Sequence, residues 1–168
     1  MTDDPAVHPL PAGVVLRRAT PEDAGEVLTL QRAAYVPEAR RYRDLDLPPL
    51  VQDLDDLTAE LGQVLALVAV RGARIVGSVR GRVSDGVVAI GRLTVAPDCQ
   101  GRGIGTALLT ALESAAAPVA RRATLFTGAD SEENLALYRR LGYVEERRSW
   151  LGDSVQLVHL GKPLEGSG

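Results

Sequence analysis

The stretch that decides the fold is Ile90-Gly91-Arg92-Leu93-Thr94-Val95-Ala96-Pro97-Asp98-Cys99-Gln100-Gly101-Arg102-Gly103-Ile104-Gly105-Thr106-Ala107-Leu108-Leu109. An apolar strand runs into Pro97, glycines fall on alternate positions, and an Ala/Leu-rich helix starts directly behind them. A helix start leaves N–H groups without intrahelical partners and carries roughly half a positive charge. Anionic oxygens suit such a place. Gly101, Gly103 and Gly105 have no Cβ, so a bulky diphosphate can come close to the backbone. Arg102 adds a cation beside it. Two nucleotide fingerprints are excluded by spacing. A P-loop needs a lysine after its last glycine, where Thr106 stands, and a dinucleotide fingerprint needs its third glycine at that same Thr106.

Outward from this stretch, the chain has 168 residues, 45% of them hydrophobic, which is enough for one domain with a sizeable core. The organisation reads as a flexible tail over residues 1–13, a single domain over 14–162 and a second tail over 163–168. A net charge of −3 with scattered arginines leaves no footprint for nucleic acid. The longest apolar run, Val64 to Val70, is too short to cross a membrane, and the acidic N-terminus does not start like a signal peptide, so the expected location is cytoplasmic. Cys99 is the only cysteine, and His8 and His159 are the only histidines. No metal site is expected, and Cys99 reads as a small residue filling a loop.

Val14 to Arg18 alternates as a first strand, and Thr20-Pro21-Glu22-Asp23 reads as an N-cap with proline at the first helical position. The helical stripe of Val27, Leu28, Leu30 and Ala34 lapses after Tyr35, leaving a surface segment over Val36 to Pro49. Leucines 50, 54, 57 and 61 share one face of a second helix. Three antiparallel strands follow, Val64–Arg71, Arg74–Val83 and Val87–Val95, and then the glycine loop with a helix from about Gly103 to Ala117. Ala123–Thr127 is a strand, Ser131–Leu141 a helix closed by Gly142, and Tyr143–Trp150 with Ser154–Leu160 a closing hairpin. The order β-α-α-β-β-β-α-β-α-β-β argues for an α+β domain, a mixed sheet with helices on its faces.

Gln100, Gly103 and Gly105, flanked by Leu93-Thr94-Val95 and by the helix from Thr106, resemble the coenzyme A signature of the GCN5-related N-acetyltransferases (the GNAT family). That family has the same element order, and the resemblance runs from about Val14 to Leu160. It extends to Asn134, Tyr138 and the closing Leu141-Gly142-Tyr143. The resemblance implies an acetyl-CoA-dependent N-acetyltransferase acting on a primary amine of a small molecule by direct attack in a ternary complex. Acetyl-CoA would be held by Leu93, Thr94, Val95, Gln100, Gly101, Arg102, Gly103, Ile104, Gly105, Thr106 and Asn134. Tyr138 would protonate the leaving thiolate, while Leu137 and Leu141 point to the core and Tyr143 packs at a strand start.

The acceptor pocket implied by the family falls on Tyr35, Glu38 and Tyr42, with Asp44 and Asp46 offering charge to a cationic amine. The strand before the loop carries no carboxylate or histidine, so Glu38, Asp130 or a water chain are the candidates for a base. Rival readings are an acyl-CoA sensor of the same fold, a protein N-terminal acetyltransferase, and a transferase for longer acyl groups or hydroxyl acceptors. The N-terminal region is faintly similar to acetyltransferases that inactivate amino-acid-like toxins. Trp150, near the hairpin turn, offers a homodimer contact.

Overall fold

A computed structural model describes residues 9–166, so most of the first expected tail and the last two residues of the second lie outside the described residues. Where the two tails are described, Leu10 and Leu164 pack half-buried against the core, and the Leu164 amide donates to the Arg121 carbonyl at 2.8 Å. The strands are β1 (Val14–Arg18), β2 (Leu65–Arg71), β3 (Arg74–Ser84), β4 (Val87–Val95), β5 (Arg122–Gly128), β6 (Val144–Leu151) and β7 (Val155–Pro163). The helices are α1 (Ala24–Tyr42), α2 (Pro48–Val51), α3 (Leu54–Leu61), α4 (Ile104–Ala116) and α5 (Glu132–Arg140). One seven-stranded mixed sheet runs in the order β1-β2-β3-β4-β5-β7-β6, in which only β4 and β5 pair in parallel.

The two faces of the sheet are set by alternation along β3. Gly77 and Gly81 face α4, and a Cβ at either would come within 3.0 Å of Leu108, Ile104, Val88 or Leu112 side-chain carbons. Bare backbone at those two positions is what lets α4 lie this close. Ile104, Leu108, Leu109 and Leu112 of α4 are consequently almost fully buried. Each such side chain contributes roughly 1.5–3 kcal/mol over leaving it in water. Arg80, between those glycines, faces the other way into a polar layer below α1 and α3. Its guanidinium donates to Glu60 Oε1 at 3.1 Å, Gln31 Oε1 at 2.9 Å and Gln52 Oε1 at 3.2 Å.

Two sequence expectations need correcting. The first helix does not stop at Tyr35. A 3-10 turn over Pro21–Asp23, capped by Thr20, leads into a helix that passes through Pro37 and ends at Tyr42, with Arg43 left-handed at φ 54°. Contacts distant in sequence hold the extra turns: Ala39 is buried, Arg41 donates to the Asp130 carbonyl at 3.2 Å, and Ser131 Oγ donates to Glu38 at 3.1 Å. The leucine-striped second helix is also broken in two. Gln52 is extended at ψ 130°, and Asp53 starts α3 afresh by accepting the Asp56 amide at 2.8 Å. Of the four leucines only Leu57 and Leu61 reach the core. Pro49 instead anchors the short α2 turn on α1, its carbonyl accepting from Gln31 at 2.7 Å.

Among the described residues no helix is long and apolar enough to cross a membrane, and no group of three or more His, Cys, Asp or Glu is placed to hold a metal. Trp150 and Leu151 are exposed on the edge strand β6.

Candidate active site

The parallel β4–β5 ladder is short. Val87, Val88 and Ala89 pair with Arg122, Ala123 and Thr124, and pairing ends there. Beyond that point Ile90–Val95 and Leu125–Gly128 no longer bond to each other, and both segments line a cleft of about 990 Å³. Strands that diverge in the middle of a sheet leave backbone groups unpaired, and those groups need partners from elsewhere.

At one end of the cleft lies the glycine loop. Gly101 and Gly103 are left-handed, at φ 73° and 85°, and a Cβ at either would meet no atom within 4 Å. The turn therefore needs glycine, and the space above it is open. Gly103 is the N-cap of α4 and no side chain caps that terminus. Gln100 Nε2 donates to the Val95 carbonyl at 3.2 Å, tying the loop to the strand end. Arg74 donates two 2.7 Å bonds to the Asp98 carboxylate just ahead of the loop. That pairing holds the Asp98 carboxyl well below the usual carboxylate range.

Along the wall, β4 carries a bulge. Arg80 pairs with Gly91 and Ser78 with Thr94, so Arg92 and Leu93 together oppose Val79. Arg92 takes the left-handed conformation, φ 54°, which costs a non-glycine residue roughly 1–2 kcal/mol. Residues held in such conformations cluster at functional sites.

The other end is made by α1, α2 and α5. Tyr35, Glu38, Arg41, Tyr42, Leu47, Pro48 and Pro49 line it from one side, and Asn134, Leu137 and Tyr138 from the other. Tyr138 is 7% exposed and packs edge-on against Tyr143, ring centroids 6.1 Å apart. Burial pushes the Tyr138 hydroxyl well above the ordinary phenol range, and the nearby Tyr35 and Glu38 add to the push. Asn134 Nδ2 donates to Thr127 Oγ1 at 3.3 Å across the gap between α5 and β5. Glu38 is held by Ser131 and lies 3.8 Å from Arg41.

The cleft brings together Leu93, Thr94, Val95, Gln100, Gly101, Gly103, Ile104, Gly105, Thr106, Asn134, Tyr138, Tyr35, Glu38 and Tyr42 of the expected residues. Arg102 is exposed and not part of its wall. Asp44, Asp46 and Asp130 are not in the wall either; Asp44 instead accepts the Asp46 amide at 2.8 Å, closing a loop turn. Leu135 and Tyr138 are the buried residues of α5; Leu137 and Leu141 are half-buried and pack against the core as expected, and Leu137 also lines the cleft. The Tyr42 hydroxyl is buried in the wall where a Cβ on Gly128 would fall. Arg41 and Arg92 were not among the expected contacts. Their placement depends on the long α1 and on the bulge, neither of which has a local sequence signal. Tyr143 is a core residue as its position implied, donating to Glu113 at 2.7 Å.

A family model described as "Acetyltransferase (GNAT) family" matches residues 27–143. Among curated proteins, a mycothiol acetyltransferase of Clavibacter michiganensis subsp. michiganensis is 33% identical over 140 residues, which are 81% of this chain and 44% of that protein. The chain thus spans less than half the length of that relative. Among solved structures, the ribosomal-protein-S18-alanine N-acetyltransferase of Escherichia coli superposes with a TM-score of 0.76 at 17% identity, over 92% of this chain and 96% of that one. A phosphinothricin acetyltransferase of Sinorhizobium meliloti, solved with acetyl-CoA, has a TM-score of 0.73 at 17% identity, over 90% of this chain and 89% of that one.

Proposed function

The chain belongs to the GNAT family of acetyltransferases, and from that premise we propose that it moves an acetyl group from acetyl-CoA to the primary amine of a small molecule, by direct attack with both substrates bound. The observation that carries this reading is one continuous cleft. It has an uncapped helix N-terminus over an open glycine loop at one end, and Tyr138 and Glu38 at the other. Its volume of about 990 Å³ suits small ligands.

The fit to acetyl-CoA rests on the loop. A Cβ at Gly101 or Gly103 would occupy the open space that a diphosphate requires, and the first amides of α4 are unclaimed by any side chain. We assign the diphosphate to the Gly101–Thr106 backbone and the pantetheine arm to the cleft-lining edge of Leu93–Val95, where it would add like a strand. Bound there, acetyl-CoA supplies an activated acyl group as a thioester. The backbone N–H groups around the β4 bulge are the donors we assign to the acyl oxygen, a contact of a type worth roughly 3 kcal/mol. Tyr138 stays protonated through the neutral range and gives its proton to the departing sulfur. Glu38 is the carboxylate of the cleft wall on the acceptor side of α1, and we assign to it the proton taken from the amine, directly or through water.

Calorimetric titration of acetyl-CoA followed by a thiol-release assay over a panel of amines tests the reading. Binding together with amine-dependent thiol release is expected. Binding with no release by any amine would replace it with a sensor of the same fold, and no binding would remove both.

A further inference from the structure

A guanidinium in the cleft wall stands without a countercharge. Among the described residues Arg92 forms no ion pair, and its Nε is buried with no hydrogen-bond partner. Its neighbour in the same layer, Arg80, is satisfied on all three nitrogens by Glu60, Gln31 and Gln52, so the Glu60 charge is already committed. Glu38 accepts from Ser131 and lies 3.8 Å from Arg41, and it forms no ion pair with Arg92. Arg92 is half-buried, but its Nε is not in contact with water, and leaving a buried donor unmet is costly. Arg92 is also held at φ 54° on the bulge, a strained conformation of the kind that clusters at functional sites.

Arg92, Tyr35, Glu38 and Tyr138 line the same cleft. Its wall therefore presents both a positive and a negative group. Such a pair complements a ligand that carries both charges.

Resting on the transferase reading above, we propose that Arg92 is a specificity-determining residue that binds an oxyanion on the acceptor, so that the acceptor is an amine bearing a carboxylate on a neighbouring carbon. Guanidinium matches a carboxylate with two parallel bonds, and the amine is then directed toward Glu38 and the thioester side of the cleft. Phosphonate and sulfonate share the same chemistry, and matched compounds separate them from carboxylate.

The test compares pairs that differ only in the anion. With acetyl-CoA, L-methionine is set against 3-(methylthio)propylamine and L-phenylalanine against 2-phenylethylamine, with 2-aminoethylphosphonate and taurine as further arms. In the coenzyme A-loaded protein, calorimetry compares N-acetyl-L-methionine with N-acetyl-3-(methylthio)propylamine, a readout that needs no turnover. The wild type is expected to favour the carboxylate member of each pair by roughly 10- to 100-fold, the range of a charge-assisted hydrogen-bonded pair. The preference should sit in KM for turnover, vanish in Arg92→Gln and return in part in Arg92→Lys, with melting curves showing that both variants fold. Preference for the phosphonate or sulfonate arm would replace the carboxylate as the anion. Equal treatment of the two members by the wild type, or a preference untouched in Arg92→Gln, overturns the proposal. Failure of the transferase reading is a different result, the absence of acetyl-CoA binding or thiol release.

Discussion

Tyr138 and Gly103 carry opposite kinds of role. The Tyr138 hydroxyl is pushed up by burial, and a group whose pKa is raised stays in its protonated form as pH rises through the ordinary phenol range. It is a proton donor rather than a base at neutral pH. Tyr138→Phe should lower kcat by roughly 10²-fold or more while changing acetyl-CoA affinity little, as thiol release and calorimetry together would show. In the wild type, kcat should rise with pH as the amine loses its proton, with no fall attributable to Tyr138 up to about pH 10. A falling limb centred below that, absent in the Phe variant, would remove Tyr138 from the donor role. Gly103 contributes an open backbone, so Gly103→Glu would place a bulky anion in the proposed cradle. Titration should find acetyl-CoA affinity lowered by at least roughly 100-fold, because an anion then competes for the same α4 amides. The glycines were legible because alternation followed by a helix is a local pattern. Arg92 was not, since its conformation depends on pairing one residue of β3 against two of β4.

Elements place these residues by contacts that no window of sequence contains. The extra turns of α1 are held by Ser131 and Asp130, some ninety positions along the chain, and a proline inside the helix gives the opposite local signal. The strands β2, β3 and β4 were legible because apolar runs between Gly-containing turns report their own boundaries. Their β-bulges were not. The approach of α4 to the sheet is the most exacting of these contacts. Gly77→Val would drive a branched side chain into Leu108 and Ile104, which approach to 2.8 and 3.0 Å of a bare Cβ. It should cost roughly 1–3 kcal/mol and lower the midpoint of thermal unfolding by several degrees, measured by circular dichroism. An unchanged midpoint would mean that α4 can shift, and with it the loop it opens.

At the scale of the whole molecule, the sheet is tied at one edge by Arg17–Asp23 and near the glycine loop by Arg74–Asp98, each a bidentate pair. Both carboxyls are held below their ordinary value of 3.8 by the facing guanidinium. A depressed folded-state pKa contributes stability that is present above the ordinary value and lost as pH falls through and below it. Thermal stability should therefore decline below about pH 4, and Asp98→Asn should flatten part of that decline, more clearly at low salt than at high. A wild-type acid limb that Asp98→Asn leaves unchanged would show the pair to be without weight in solution. The parallel β4–β5 ladder, closed for three residue pairs and open beyond, joins these parts into one cleft. A crystal structure with coenzyme A tests that claim most directly. It should show diphosphate oxygens within hydrogen-bond distance of the Gly101–Thr106 amides and the sulfur lying between β4 and the Tyr138 hydroxyl. A diphosphate bound away from that loop, or a sulfur on the far side of the sheet from Tyr138, would contradict it.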